Sequence, residues 1–564
     1  MRKILLVVFL SQLVSASLLA QGVTTSTLSG SVSDQSGGSL PGANVIATHE
    51  PSGTQYGTSV NPNGRYTIVN MRVGGPYKVV VSFVGYQTKT FENITLKLGE
   101  TFSLDVTMPD EGTELSEVIV SATQDRLLNS ERAGAVTSIG RGELLTMPSV
   151  SRSINDMTRF TPQATSTNNG AIGGGNYRQN YITVDGSDFN NTFGIGTNLP
   201  AGGSPISLDA LEEISVNITP YDVRQSNFIG SAINAVTRAG TNSFSGSAYW
   251  FFRSDNQQGN KVRDNSPLTL QRLEENTYGF RIGGPIVKNK LFFFVNAEQT
   301  KTIRPGQQNF AATAERPYGS DPNIARPTVD QLNEISDFLR TTPYGYNTGP
   351  FDNYDFESDN TKLTGRIDWN INNNHRLSLR YSQVESKSPS FASSSISGSG
   401  LANYPTGAGR QNINALLFKN ANYYQEQNFY SLALEVNSLF ANRFANTFRA
   451  TYTNQNDPRS TDSQEFPFVD ILQDGTPLTS FGYELFSYGN LRDVESYSFV
   501  DFVTWNSGIH NFTAGVQLDI QSTKNGFQRF GTGFYVFESW DDFVNGENPI
   551  NYAITYPLTP GYKQ

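Results

Sequence analysis

The sequence predicts a mainly β protein: a small β-sandwich, then an α+β segment, then part of an antiparallel transmembrane β-barrel. Three observations carry this. Of 564 residues only 37% are apolar and 16% charged, while Phe, Tyr and Gly number 37, 26 and 51. A polar, weakly charged, aromatic- and Gly-rich chain suits strands that meet water on one face only. Turn residues recur at about ten-residue spacing through the first hundred positions, as between the short strands of a sandwich. From Phe244 onward, segments of about ten residues alternate apolar and polar side chains.

Composition also excludes. With 41 basic against 51 acidic residues and a net charge of -10, no general basic surface invites nucleic acid, and the balance argues against an anionic ligand, although net charge says little about one vestibule. Zero cysteines removes thiolate catalysis, disulfides and thiolate-held zinc. His49, His375 and His510 lie far apart and form no ligand-spaced cluster, so no metal and no cofactor is expected. Gly173-Gly174-Gly175 is followed by no Lys-Ser/Thr and sits in no βαβ pattern, which argues against a nucleotide cradle.

The first element is a signal peptide over residues 1–20. Arg2 and Lys3 precede the apolar run Ile4 to Leu10, a second apolar patch ends at Leu18-Leu19-Ala20, and cleavage is expected after Ala20. Ser11, Gln12, Ser15 and Ser17 interrupt the stretch and leave it too short to span a bilayer.

The sandwich follows over 21–110, with about seven strands. Its runs include Leu28 to Val32, Pro41 to Ala47, Asn61 to Ile68, Gly74 to Ser82 and Phe102 to Val106. Asn63-Gly64 supplies the positive φ of a tight hairpin. Gly30-Ser31-Val32, Pro41-Gly42-Ala43, Asn63-Gly64-Arg65-Tyr66, Gly75-Pro76-Tyr77 and Gly85-Tyr86 resemble the carboxypeptidase regulatory-like domain. No His/Glu zinc pattern accompanies them, so the resemblance implies nothing catalytic.

Residues 111–124 read as a linker. Within it Glu117-Val118-Ile119-Val120-Ser121-Ala122 has strong strand propensity and no obvious partner. By itself it is the last strand of the sandwich, the first of the next domain, or a free segment that adds to another protein's sheet edge.

Over 125–240, Arg178, Val184-Asp185-Gly186, Leu211-Glu212-Glu213-Ile214 and Val236-Thr237-Arg238-Ala239-Gly240 occur in order. This series resembles the plug domain of TonB-dependent outer-membrane receptors of the Bacteroidota type, including the Oar-like branch. In that pattern an Arg strand leads to a Val-Asp-Gly turn, and a helix end, here Leu211 to Ile214, precedes a small-residue strand. The plug-motif residues are then Arg178, Asp185, Gly186, Thr237, Arg238 and Gly240. Phe228-Ile229-Gly230 and Ser231-Ala232 depart from the family's Gly-rich step. The resemblance also implies that Glu117, Val118, Ile119, Val120, Ser121 and Ala122 are a TonB box, which pairs with a periplasmic energy transducer.

Residues 241–564 read as the N-terminal part of the barrel. Its clearest hairpin has Leu363, Gly365, Ile367, Trp369 and Ile371 on one face and Thr364, Arg366, Asp368 and Asn370 on the other. It turns at Asn372-Asn373-Asn374 and returns with Leu377, Leu379 and Tyr381 opposite Ser378, Arg380 and Ser382. Arg and Asp alternating with Leu and Trp fit a wall with lipid outside and water inside. Similar runs cover Tyr430 to Asn437, Thr447 to Tyr452 and Phe512 to Gln521. Further strands are expected at Phe244 to Arg253, Tyr278 to Gly284, Leu291 to Gln299, Tyr497 to Trp505 and Gly533 to Glu538. Long polar connections over 303–360 and 386–426 contrast with short Asn-rich turns. About ten strands are expected, against about twenty-two in the family, so the chain reads as a fragment.

The resemblance implies a receptor or transporter in the outer membrane, with sandwich and plug on the periplasmic side. An unknown extracellular ligand would be moved by energy-coupled plug rearrangement, without bond chemistry, so no enzyme is expected. The implied partners are a TonB-type transducer, outer-membrane lipid, the ligand and an accessory surface lipoprotein. Ligand-binding residues are not legible. The rival reading is a secreted or surface β-rich adhesin.

Overall fold

The computed structural model describes residues 22–110, 118–121, 135–165, 171–191, 193, 198–218, 222, 224–225, 229–261, 270–341, 343–395, 409–440, 444–507 and 510–558. The expected signal peptide, Glu117 and Ala122 lie outside them.

Alternating small and β-branched residues build the N-terminal sandwich. Val45, Ala47, Tyr77, Val79 and Val81 point inward and are fully buried. One sheet holds Ser26–Asp34 between Arg65–Met71 and the short strands Thr101–Ser103 and Val106–Met108. The other runs Thr54–Ser59, Asn44–His49, Gly74–Ser82, Lys89–Leu96. Among the described residues this makes eight strands within 22–110, where about seven were expected, and Val118–Ser121 adds a further one at the edge of the second sheet. The Asn63-Gly64 turn forms, with Gly64 at φ 75°, but it joins no hairpin. Thr54–Ser59 pairs with Asn44–His49 and Arg65–Met71 with Ser26–Asp34, so the turn carries the chain from one sheet to the other.

The next domain is a five-stranded mixed sheet in the order Val136–Gly140, Leu211–Asn217, Ala232–Thr237, Tyr181–Val184, Ser187–Asp188. Two short helices, Arg141–Thr146 and Ile154–Thr158, flank it. Two expectations are corrected here. Leu211 to Ile214 begins a strand and does not end a helix; the helical piece before it is one 3-10 turn, Leu208–Ala210, capped by Ser207. Arg178 sits on a 3-10 turn, Tyr177–Gln179, and not on a strand.

The third sheet is the barrel wall. Its order is Ser245–Ser254, Glu274–Val287, Leu291–Pro305, Asp355–Asn370, His375–Ser390, Asn428–Phe440 with Tyr423–Glu426, Phe444–Ser460, Leu491–Ser507, His510–Gly526. Every adjacent pair is antiparallel. Among the described residues, the first and last of these strands pair along one edge only. Burial is inverted relative to a water-soluble sheet. Trp250 (63% exposed), Tyr278, Phe280, Ile367, Trp369, Leu379, Val516 and Leu518 face outward, while Thr364, Asp368, Arg380, Glu435 and Arg449 are buried within. An outward face this apolar is stable only against lipid.

The wall is asymmetric end to end. Val287 and Leu291, and Asn370 and His375, bound short turns at one end. At the other end the long polar connections fold into a layer of their own. Leu416–Leu417, Thr476–Phe481, Phe468–Gln473, Phe534–Phe537 and Asn551–Ala553 form a five-stranded sheet. The stretch Gly533 to Glu538, expected in the wall, belongs here. Helix Val329–Arg340, with a Thr328/Gln331 capping box, lays Leu332, Ile335 and Leu339 on that sheet beside Tyr346, Phe418 and Phe481. Arg410 and Asp470 pair at 2.7 Å inside it, essentially without exposure.

Candidate functional site

Five of the six plug-motif residues, all but Arg178, lie where the α+β domain meets the inner face of the wall. Tyr181–Val184 and Ala232–Thr237 run parallel, with Val184 opposite Ala235. That register brings the turn after the first strand beside the end of the second. Asp185 lies in the left-handed region at φ 47°, where Asp is among the residues tolerated. Its carboxylate accepts hydrogen bonds from Thr237 N (2.9 Å) and Thr237 Oγ1 (2.6 Å).

Two arginines reach the same carboxylate from the wall: Arg366 Nη1 at 3.2 Å and Arg380 Nε at 3.0 Å. The Arg380 side chain is only 2% exposed. It also donates to Ser187 Oγ (2.7 Å), Ser431 Oγ (3.0 Å) and Ser382 Oγ (2.8 Å). Arg366 spends a second nitrogen on Asp368 at 2.9 Å and donates to Thr237 O at 3.0 Å. Buried charges of this kind persist only when paired and hydrogen-bonded.

Glycine is required twice. Gly186 has φ 74°, and a Cβ there would lie within 2.7 Å of the Arg449 guanidinium. A Cβ at Gly240 would lie 2.4 Å from Phe293 O, where the chain leaves the domain for the wall. Arg449 in turn pairs with Glu435 at 2.7 Å and donates to Gly22 O (3.1 Å) and Thr24 Oγ1 (2.7 Å). Residues 22–24 are thus wedged between plug and wall. Arg178 stands apart, exposed and bonded to Tyr177 OH.

Sequence reasoning missed a second contact. Glu298 of the wall accepts from Lys362 Nζ (2.8 Å), Tyr249 OH (2.8 Å) and Ser207 Oγ of the plug (3.0 Å). Plug Arg152 pairs with Asp209 at 2.8 Å and lies over the Phe251 ring of the wall at 4.4 Å. Polar residues at inward positions of apolar-alternating strands were the signal available.

The sandwich lies across the short-turn mouth. Arg72 pairs with wall Asp368 at 3.1 Å, Asn370 Nδ2 donates to Thr54 Oγ1 at 2.9 Å, and Arg376 donates to Gln55 O at 2.6 Å while covering the Tyr56 ring at 3.9 Å. Toward the plug, Leu98 N donates to Glu213 Oε1 at 2.9 Å, as does Ser138 Oγ at 2.5 Å. Burial pushes the Glu213 carboxyl up to about 7. Burial, with Arg72 nearby, pushes sandwich His49 down to about 3, so this imidazole is neutral; it hydrogen-bonds Ser52. Of the expected box, Val118–Ser121 extends the second sandwich sheet, parallel to Lys89–Leu96 with Lys89 opposite Val118. Among the described residues no three His, Asp or Glu gather as metal ligands. What this arrangement can do is hold a plug by polar contacts that water or force can exchange.

Residues 236–555, more than half the chain, match the outer membrane beta barrel domain family, and residues 27–109 match the carboxypeptidase regulatory-like domain. The chain is 26% identical over 386 residues to the TonB-dependent transporter Oar of Myxococcus xanthus, covering 63% of this chain and 33% of that protein. Its fold is similar to the outer membrane transporter YddB from Escherichia coli, with a TM-score of 0.51 at 11% identity, covering 74% of this chain and 51% of that one. The chain thus spans a third to a half of the length of these relatives. The inverted wall, the plug held inside it and these matches agree: the chain belongs to the outer membrane beta barrel domain family, resides in the outer membrane and is a homologue of TonB-dependent transporters.

Proposed function

We propose that this protein takes up an extracellular ligand into the periplasm by energy-coupled rearrangement of its plug. The observation that carries the reading is the plug's attachment: Asp185, held by Arg366 and Arg380, joins plug to wall through charges and hydroxyls that can exchange partners. Some apolar contact remains, as where Phe189 meets Phe429 edge-on at 4.7 Å. The proteins it resembles are transporters, and no chemical step is assigned to it.

In this reading residues 117–122 are the TonB box. An energy transducer takes the strand Val118–Ser121 from its edge position on the sandwich by offering equivalent backbone hydrogen bonds. The pull then reaches the plug, Asp185 leaves its arginines, and a path opens. Lipid contacts the outward aromatic face, and an accessory lipoprotein would act at the long-loop end. A soluble adhesin does not account for so many exposed Trp, Tyr, Phe and Leu on the wall.

Deleting 117–122 tests the coupling. Uptake should stop while surface binding and outer-membrane location persist. Unchanged uptake would remove the box from this segment.

A further inference from the structure

Between the plug and the wall strands Ser245–Ser254, Glu274–Val287 and Leu291–Pro305 lies a cavity of about 760 Å³. Its charge is opposite in sign to that of the chain. Arg141, Arg152, Arg238, Arg253, Arg281 and Lys362 line it, against Asp209, Glu275 and Glu298. The three acids are already engaged: Glu298 by Lys362 at 2.8 Å, Glu275 by Arg253 at 2.9 Å, Asp209 by Arg152 at 2.8 Å. What is left over is cationic.

Among the described residues Arg281 pairs with Asp209 at 3.9 Å, and Arg238 pairs with Glu212 at 3.7 Å and lies over the Phe294 ring at 5.8 Å. Both side chains are about nine-tenths buried, at 10% and 8% exposure. Arg281 Nε is buried with no hydrogen-bond partner among the described residues, and so are the Nε atoms of Arg152 and Arg253. A guanidinium taken out of water without partners is costly, and an oxyanion is the group that satisfies its fork of donors. Burial and the neighbouring Arg141 and Arg281 also push Arg238 down to about 10, a sign of mutual repulsion.

We infer that this cavity is an anion site, in which Arg238 and Arg281 hold a carboxylate or phosphate group on the path between plug and wall. The inference deepens the uptake reading and rests on it for its physiological meaning: the ligand carries an oxyanion that touches this site in transit.

The test is equilibrium dialysis of the full chain in detergent micelles against labelled citrate and inorganic phosphate, with maltose as a neutral control. Wild type should bind at least one anion saturably and maltose not at all. Arg281→Gln should weaken that binding about tenfold, the factor expected for one charge-assisted hydrogen bond. Arg281→Lys, which keeps the charge and the fold, should fall between the two. Phosphate found instead in the lipid extract of purified wild type, and lost in Arg281→Gln, would identify a lipid headgroup as the source of the same chemistry. Absence of anion and lipid phosphate alike, or equal binding by wild type and Arg281→Gln, would overturn the site. Binding is read without transport, so failed uptake alongside intact binding would count against the uptake reading and not against the site.

Discussion

Asp185→Asn isolates the charge of the plug's attachment while leaving its shape. Asn tolerates a φ of 47° as well as Asp does, so the turn is not strained. The loss falls on Arg380. With its side chain 2% exposed it would keep only neutral partners: the hydroxyls of Ser187, Ser382 and Ser431 and the carbonyl of Val184. Removing one partner of a buried pair costs about 3–5 kcal/mol. Arg366 retains Asp368 at 2.9 Å, which places the total near the lower end, about 3 kcal/mol. Hydrogen exchange of the Ala232–Thr237 amides in the detergent-solubilised chain reads this directly. A local opening easier by about 3 kcal/mol speeds exchange by about two orders of magnitude. Exchange in Asp185→Asn within about threefold of wild type would mean that the plug is held by something other than this carboxylate.

Two further outcomes concern the sandwich. Burial lifts the Glu213 carboxyl from 4.5 to about 7 against the opposing hydrogen bonds from Ser138 and Leu98 N, so Glu213 binds its proton more tightly in the folded chain than when exposed to water. The plug–sandwich contact around Glu213 should therefore lose stability as pH rises from about 4.5 through 7 and level off above that; Glu213→Gln should flatten that dependence, read by proteolytic release of the sandwich at pH 5.5 and 8. Arg376→Ala removes a hydrogen bond to Gln55 O and a ring contact with Tyr56, so release should quicken about tenfold with the outer-membrane location unchanged.

The wall was legible because its physics is local. Leu363 to Ser382 alternates residue by residue, and the structure realises those faces with Arg366 and Arg380 inside and Ile367 and Leu379 outside. Val184-Asp185-Gly186 and Val236-Thr237-Arg238 were found by motif, but their meeting depends on the parallel pairing of strands about fifty positions apart. At Leu211 to Ile214 the family pattern implied a helix end, but the helical piece is a single 3-10 turn capped by Ser207, after which Ile214 and Val216 favour strand. The outer sheet had no local signal. Leu416-Leu417 pairs with Thr479-Ser480, two residues against two, joined through a long connection. Phe534–Phe537 lacks the polar alternation of a wall strand and is largely buried within the outer layer. The cationic cavity was hidden by the whole-chain charge of -10, which averages over surfaces that never meet.

A pull on residues 117–122 should draw the plug away from the wall, and labelling of a single buried thiol reports that departure. The chain has no cysteine, so Ser187→Cys gives one thiol, placed where Ser187 is fully buried against Arg380. An impermeant maleimide added to energised cells should label it several-fold faster than in cells treated with an uncoupler or lacking residues 117–122. Equal labelling in all three would contradict an energy-driven plug.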